Sequence, residues 1–250
     1  MAAELSAVER FDESSFDTQV ANELLLYADR LSRRGYVMNT LGNVAVRVRH
    51  RCEPNYGVVY TKHLGVSLEE MDIGNVVVTD IPEGRLLYGA SSPSIGHIMS
   101  RTIFRLRPDV NAVVHVHPND VIAYFTASGA TEFRYVSADT ALILARPPLV
   151  LEPNINIERD AELLEDLVHR TNCIIMPNHG VTTLGRNLSE AYHRMTSTVA
   201  EVQRIVLALQ VAVHTGRQVT WIPPEAVREM YAAAEAVVYG ASPESGRDRD

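Results

Sequence analysis

The sequence predicts a single α/β domain, and three observations carry that prediction. Strand-like and helix-like stretches interleave along the whole chain. Nothing repeats at a fixed period, which removes solenoids and propellers. No Pro/Gly/Ser-rich linker divides the chain. With 250 residues, 46% hydrophobic and 22% charged, the composition is that of an ordinary globular protein able to bury a full core.

The elements follow in order. Residues 1–15 read as a loose polar leader, ahead of a domain over 16–241. Residues 16–35 predict a helix, because Val20, Leu24, Tyr27 and Leu31 recur three or four apart and Gly35 is a natural stop. Residues 43–48 alternate Val44, Val46 and Val48 and predict a strand; 57–61 and 75–80 predict two more. Residues 94–107 predict a helix that ends at Arg107-Pro108, because proline pushes the residue before it out of the helical region. The apolar run 112–117 suits a buried strand, 120–128 a helix, 149–151 a short strand and 160–170 a further helix. Residues 173–176 form a strand running straight into Pro177-Asn178-His179-Gly180. Residues 189–216 predict a long helix, with Asn187 and Ser189 as cap candidates and Glu190 in the first turn. A last helical stretch covers 225–239, and 242–250 reads as a disordered tail.

Composition excludes several function classes. A formal net charge of −8 argues against a protein that grips nucleic acid, which needs a basic face. No run reaches the roughly 18–20 apolar residues that span a bilayer, and the first 17 residues lack the basic start and apolar stretch of a signal peptide. Cys52 and Cys173 are too few for a disulfide framework, so a reducing cytoplasm is expected.

Chemistry concentrates in the histidines. His115 and His117 lie two apart in a strand, so both side chains share one face and can share one metal ion. His179 follows a second apolar strand, and Gly180 after it allows the backbone to turn sharply. Such a pair also occurs as plain hydrogen-bonding structure at strand ends; the Asn178-His179-Gly180 run tips the balance toward metal. Three neutral imidazoles make a facial set for one divalent ion per chain, zinc, manganese, iron or cobalt, with positions left open for substrate and water. No G-x-G-x-x-G follows a strand, so a nicotinamide or flavin has no support.

Several motifs resemble the class II aldolase/adducin family: Asp109-Val-Asn-Ala-Val-Val-His115-Val-His117, Pro177-Asn178-His179-Gly180-Val and Gly185-Arg-Asn-Leu-Ser-Glu-Ala191, with Thr40-Leu41-Gly42-Asn43 and Ser91-Ser92…His97 ahead of them. They occur in the family's order over roughly residues 17–215. The resemblance implies an α/β/α layered fold with a largely antiparallel sheet. It implies a homotetramer with sites at subunit interfaces, His115, His117 and His179 as metal ligands, and a small-molecule substrate held by Thr40, Gly42, Asn43, Ser91 and Ser92.

Two departures redirect the chemistry. The family aldolases carry an acid/base Glu four residues before the His matched by His97; here that position is Pro93. The family's Thr-Pro-Ser-Gly phosphate loop reads Thr61-Lys62-His63-Leu64-Gly65, one residue longer and without its Ser. Aldol cleavage needs a proton acceptor and donor. Decarboxylation starts from an anion and needs only stabilisation of the charge left behind, with a later proton from His63 or His97 and with Lys62 binding a carboxylate. The sequence therefore favours a metal-dependent carbon–carbon lyase that decarboxylates a hydroxylated, aromatic acid. The alternatives are a sugar-phosphate aldolase or epimerase, a non-haem Fe(II) oxygenase, and an adducin-like scaffold without catalysis. A Schiff-base route would rest on Lys62, the only lysine, which the sequence puts on a loop.

Overall fold

A computed structural model describes residues 11–238. The start of the expected leader, Tyr239 and the expected tail from 242 lie outside the described residues. Within the leader, Glu13–Ser15 form one 3-10 turn capped by Asp12, and Phe16 stacks on Tyr88 with ring centroids 4.3 Å apart.

The strands are β1 (Asn43–His50), β2 (Glu53–Lys62), β3 (Val76–Asp80), β4 (Leu86–Tyr88), β5 (Ala112–Val116), β6 (Leu149–Val150), β7 (Cys173–Met176) and β8 (Gly180–Gly185). They form one sheet in the order β4-β3-β2-β1-β5-β8-β7-β6. Every neighbouring pair is antiparallel except β6 with β7. The helices are α1 (Thr18–Arg33), α2 (His97–Leu106), α3 (Asn119–Ser128), α4 (Ala138–Leu144), α5 (Leu164–Leu167), α6 (Leu188–Thr215) and α7 (Pro224–Val238).

Strand alternation divides the core in two. Val44, Val58, Tyr60, Val114, Val116 and Ile175 face a cluster built on α1, α3, α4, α6 and α7. Ala45, Val59, Val113, Ile174, Met176 and Leu184, on the opposite parity, face α2 and the 161–168 segment. The result is the α/β/α layering with a largely antiparallel sheet that the resemblance implies. Local signals set the helix ends. The Asp17 carboxylate accepts from the Gln19 and Val20 amides at the start of α1, and the Asn187 side chain accepts from Glu190 N at the start of α6.

Several expectations need correction. β2 continues through Lys62, so Lys62 ends a strand rather than lying on a loop. The helix expected over 160–170 is broken into a four-residue α5 flanked by 3-10 turns at Ala161–Leu163 and Val168–Arg170. β4, α4 and β8 carry no sequence signal that singled them out. α4 is held from outside. Glu201 of α6, fully buried, accepts from the Val136 and Ser137 amides and from the Ser137 and Thr140 hydroxyls, capping a helix too short and too uniformly apolar to show a period. Glu201→Ala strands two part-buried N–H groups and should lower stability by about 2 kcal/mol, measured by urea denaturation, while Glu201→Gln should recover part of the loss.

Candidate metal centre

The site lies at the C-terminal end of β5, on the α2 side of the sheet. His115 has the parity of Val113 and faces α2; it pairs across the sheet with Asn43 on β1 and Thr182 on β8. His117 stands one residue beyond the strand. His179 sits in the tight turn Pro177–His179 between β7 and β8, where it comes level with the other two. The three ring centroids are 4.8, 5.2 and 5.0 Å apart, and one nitrogen from each ring lies within 4.8 Å of the others.

The glycine after His179 does a different task from the one expected. The left-handed residue of the turn is Asn178, at φ 65°. Gly180 is needed for space: a Cβ there would lie 2.7 Å from Val116 O and 2.8 Å from His117 Cδ2. β8 can pass this close to β5 and the His117 ring only without a side chain.

The donor set fits a divalent ion. His115 Nδ1 faces the Val181 carbonyl at 3.1 Å, which can only accept, so Nδ1 carries the proton and Nε2 offers a lone pair. Thr182 Oγ1 lies 2.9 Å from the same Nδ1. His115 Nε2 and His117 Nε2 are 3.2 Å apart, within the edge of about 3.0–3.4 Å that imidazoles bonded at about 2.0–2.1 Å to one ion produce. Burial holds His115 below its ordinary value. Burial, then the neighbouring His115 and His179, takes His117 down to about 3. Both are neutral at pH 7, the state in which imidazole binds metal.

Sequence reasoning missed Glu158. It lies in the irregular segment between β6 and Ala161, with no periodicity and no motif to mark it. Its Oε2 accepts from His179 Nε2 at 3.1 Å and stands 3.5 Å from His115 Nε2. Burial alone would raise its pKa; the His179 hydrogen bond and the field of the histidines outweigh that and bring it to about 2. Asn156 Oδ1 holds the Glu158 amide at 2.9 Å.

The remaining expected residues divide. Lys62 is buried, with Nζ donating to Thr40 O at 2.6 Å and Val66 O at 2.7 Å. Burial lowers its pKa to about 8, with Glu158 pulling the other way. Asn43 Oδ1 accepts from Thr61 Oγ1 at 2.6 Å and Ser94 Oγ at 3.0 Å, and its Nδ2 donates to Ser100 Oγ. Gly42 packs under the His115 carbonyl. Ser92 O accepts from Leu64 N, and Ser94 N donates to Lys62 O, so the 91–94 segment is laced to the end of β2; Pro93 itself bridges His63. His63 lies between Leu64 O and Asn75 Nδ2. His97, at the first turn of α2, contacts Ser94 O through Nδ1. Neither hydrogen-bonds to the triad among the described residues. Tyr231 is bonded to Tyr135 of its own chain at 2.7 Å.

A three-layer α/β/α fold with a three-histidine centre at the end of the interior strand β5 defines a class, and comparison with known proteins agrees. The pattern of the Class II Aldolase and Adducin N-terminal domain matches residues 22–205. The chain belongs to this family. An L-fuculose phosphate aldolase of Methanococcus maripaludis is 26% identical over 69% of this chain and 87% of its own length. A 3,4-dihydroxyphthalate decarboxylase of Arthrobacter keyseri is 27% identical over 68% of this chain and 71% of its own. The crystal structure of YgbL from Escherichia coli superposes with a TM-score of 0.73 at 19% identity, covering 85% of this chain and 98% of that one.

Three outcomes check this site. His179→Ala should abolish stoichiometric Zn²⁺ uptake in dialysis followed by elemental analysis, and Gly180→Ala should weaken it strongly by displacing His117. In protein labelled with ¹³Cε-lysine, the single lysine should give one resonance titrating near pH 8. Its folded pKa lies below the unfolded 10.5, so the unfolded chain binds more protons between these values and this group makes stability rise with pH across that window.

Proposed function

We propose that the protein is a divalent-metal-dependent carbon–carbon lyase that decarboxylates a hydroxylated, aromatic carboxylic acid. The carrying observation is the trio of inward-facing imidazoles, neutral by burial at His115 and His117, beside an anionic Glu158. Family membership and relatives named as aldolases and decarboxylases support the lyase class. A bound ion, held by His115, His117 and His179, supplies Lewis-acid withdrawal of charge from neighbouring substrate oxygens as the carbon–carbon bond breaks. Zinc, manganese, iron and cobalt all suit three imidazoles.

Of the residues that the family resemblance assigns to a sugar phosphate, Asn43 is turned to internal structure, which supports the acid over the phosphate. Asn43, Thr61, Ser94 and Ser100 bond to one another. The Lys62 ammonium is engaged by two carbonyls and has one donor left for a substrate carboxylate. Thr40, Gly42, Ser91 and Ser92 frame the entrance in this reading, and His97 or His63 delivers the proton to the carbon after CO₂ leaves.

Aldol cleavage is the second reading, and Glu158 favours it, since a carboxylate beside the triad restores what Pro93 removed. An oxygenase reading rests only on the compatibility of three histidines with Fe²⁺ and gains no observation here. The exposed Leu207, Val211 and Val213 on α6 suit burial against another copy, in keeping with a homo-oligomer. No described helix is long and apolar enough to cross a membrane.

The test is a panel of ortho-hydroxy aromatic acids and ketose 1-phosphates incubated with metal-loaded protein. CO₂ release from the acids, lost in His115→Ala, is the expected result. Release of dihydroxyacetone phosphate with no CO₂ would transfer the assignment to aldol cleavage.

A further inference from the structure

The family's carboxylate is absent at Pro93, yet a carboxylate stands against two of the three histidines. It reaches there from another part of the chain, on the segment that closes the α2 face of the sheet. Glu158 Oε2 is 3.1 Å from His179 Nε2 and 3.5 Å from His115 Nε2. The first distance falls within the edges between neighbouring donors on one ion, about 3.0–3.4 Å for bonds of about 2.0–2.1 Å, and the second lies just above them. The other oxygen, Oε1, lies over Gly96, the residue that starts α2; a Cβ there would collide with it. The ten-residue α2 thus turns its positive end toward the carboxylate. Its side chain is only 14% exposed. A buried anion stays buried where a cation meets it. The Lys62 ammonium, whose charge Glu158 favours, is already bonded to two carbonyls.

We propose that Glu158 is the fourth protein ligand of the divalent ion in the substrate-free enzyme, completing a three-histidine, one-carboxylate set, and that Gly96 is the bare surface that admits it. This deepens the metal-dependent reading and rests on it. One imidazole edge of the set is then shared with an anion that offsets half the charge of the ion. The single anionic ligand also leaves the substrate's own anion to complete charge neutrality, which suits a hydroxy acid chelating through its carboxylate and hydroxyl.

The test is Co²⁺ binding, read by competition with a chromophoric chelator and by the visible d–d spectrum, on the full chain. Glu158→Gln should weaken Co²⁺ binding by at least about 10-fold, the smallest loss that even outer-shell partners of a metal site cause, and should shift the d–d bands. Gly96→Ala keeps the carboxylate but pushes it away, and should shift the bands in the same direction. Glu162→Gln, on an exposed side chain of the same segment, should change neither. Unchanged affinity and spectrum in Glu158→Gln would overturn the assignment. If that variant fails to fold, judged by far-ultraviolet circular dichroism, Gly96→Ala decides alone, and wild-type Co²⁺ binding in it overturns the assignment equally. No Co²⁺ uptake by the unsubstituted protein would overturn the metal reading and this one with it, whereas uptake that His179→Ala abolishes and Glu158→Gln leaves intact would overturn this one only.

Discussion

The site depends on how closely β8 passes β5. The register pairs Val116 with Val181 and His115 with Thr182, and Gly180 brings the backbone against the Val116 carbonyl and the His117 ring where no side chain would fit. That approach has three consequences. It carries the turn bearing His179 level with His115 and His117. It sets the Val181 carbonyl and Thr182 hydroxyl against His115 Nδ1, which fixes the tautomer and aims Nε2 into the site. It also buries His115 completely, and burial keeps the imidazole neutral. The position, protonation and orientation of His115, and the placing of His179 beside it, therefore all follow from one strand pairing.

Around that pairing the protein arranges charges that are costly to bury. Glu158 and Lys62 are both withdrawn from water, and each stabilises the charged form of the other. Neither forms a direct ion pair with the other among the described residues; the carboxylate points to the histidines and the ammonium to carbonyls. Their separation leaves the carboxylate available to the triad. It also makes Lys62 a clasp between the 40 and 66 segments.

The polar cluster of Asn43, Thr61, Ser94 and Ser100 joins β1, β2 and the start of α2 through buried hydrogen bonds. Such a network fixes one arrangement because each unmade bond in the interior is costly. Asn43 sits opposite His115 in the sheet, so the network also braces the strand that carries the first ligand.

Much of this was legible in the sequence because it is written in local periodicity and fixed spacing. The two-residue repeat puts His115 and His117 on one face whatever surrounds them, and the three- and four-residue spacing of Val20, Leu24, Tyr27 and Leu31 marks α1 by itself. The segments that carry no such period were missed or misread: β8, which follows a turn too short to separate it by eye, α4, which needs Glu201 from another helix to cap it, and the broken helix over 160–170. The burial of Lys62 depends on Thr40 and Val66, and the true task of Gly180 depends on a neighbouring strand. Glu158 lies about forty residues after His117 and about twenty before His179, in a segment without repeat or motif. The sequence by itself put His115 and His117 on one face, because that follows from side-chain direction along a single strand, while the layering and the part of His179 came from the family resemblance carried by its motifs. Only the tertiary structure decided which carboxylate stands beside the histidines, because that proximity is made by chain segments whose separation no local rule encodes.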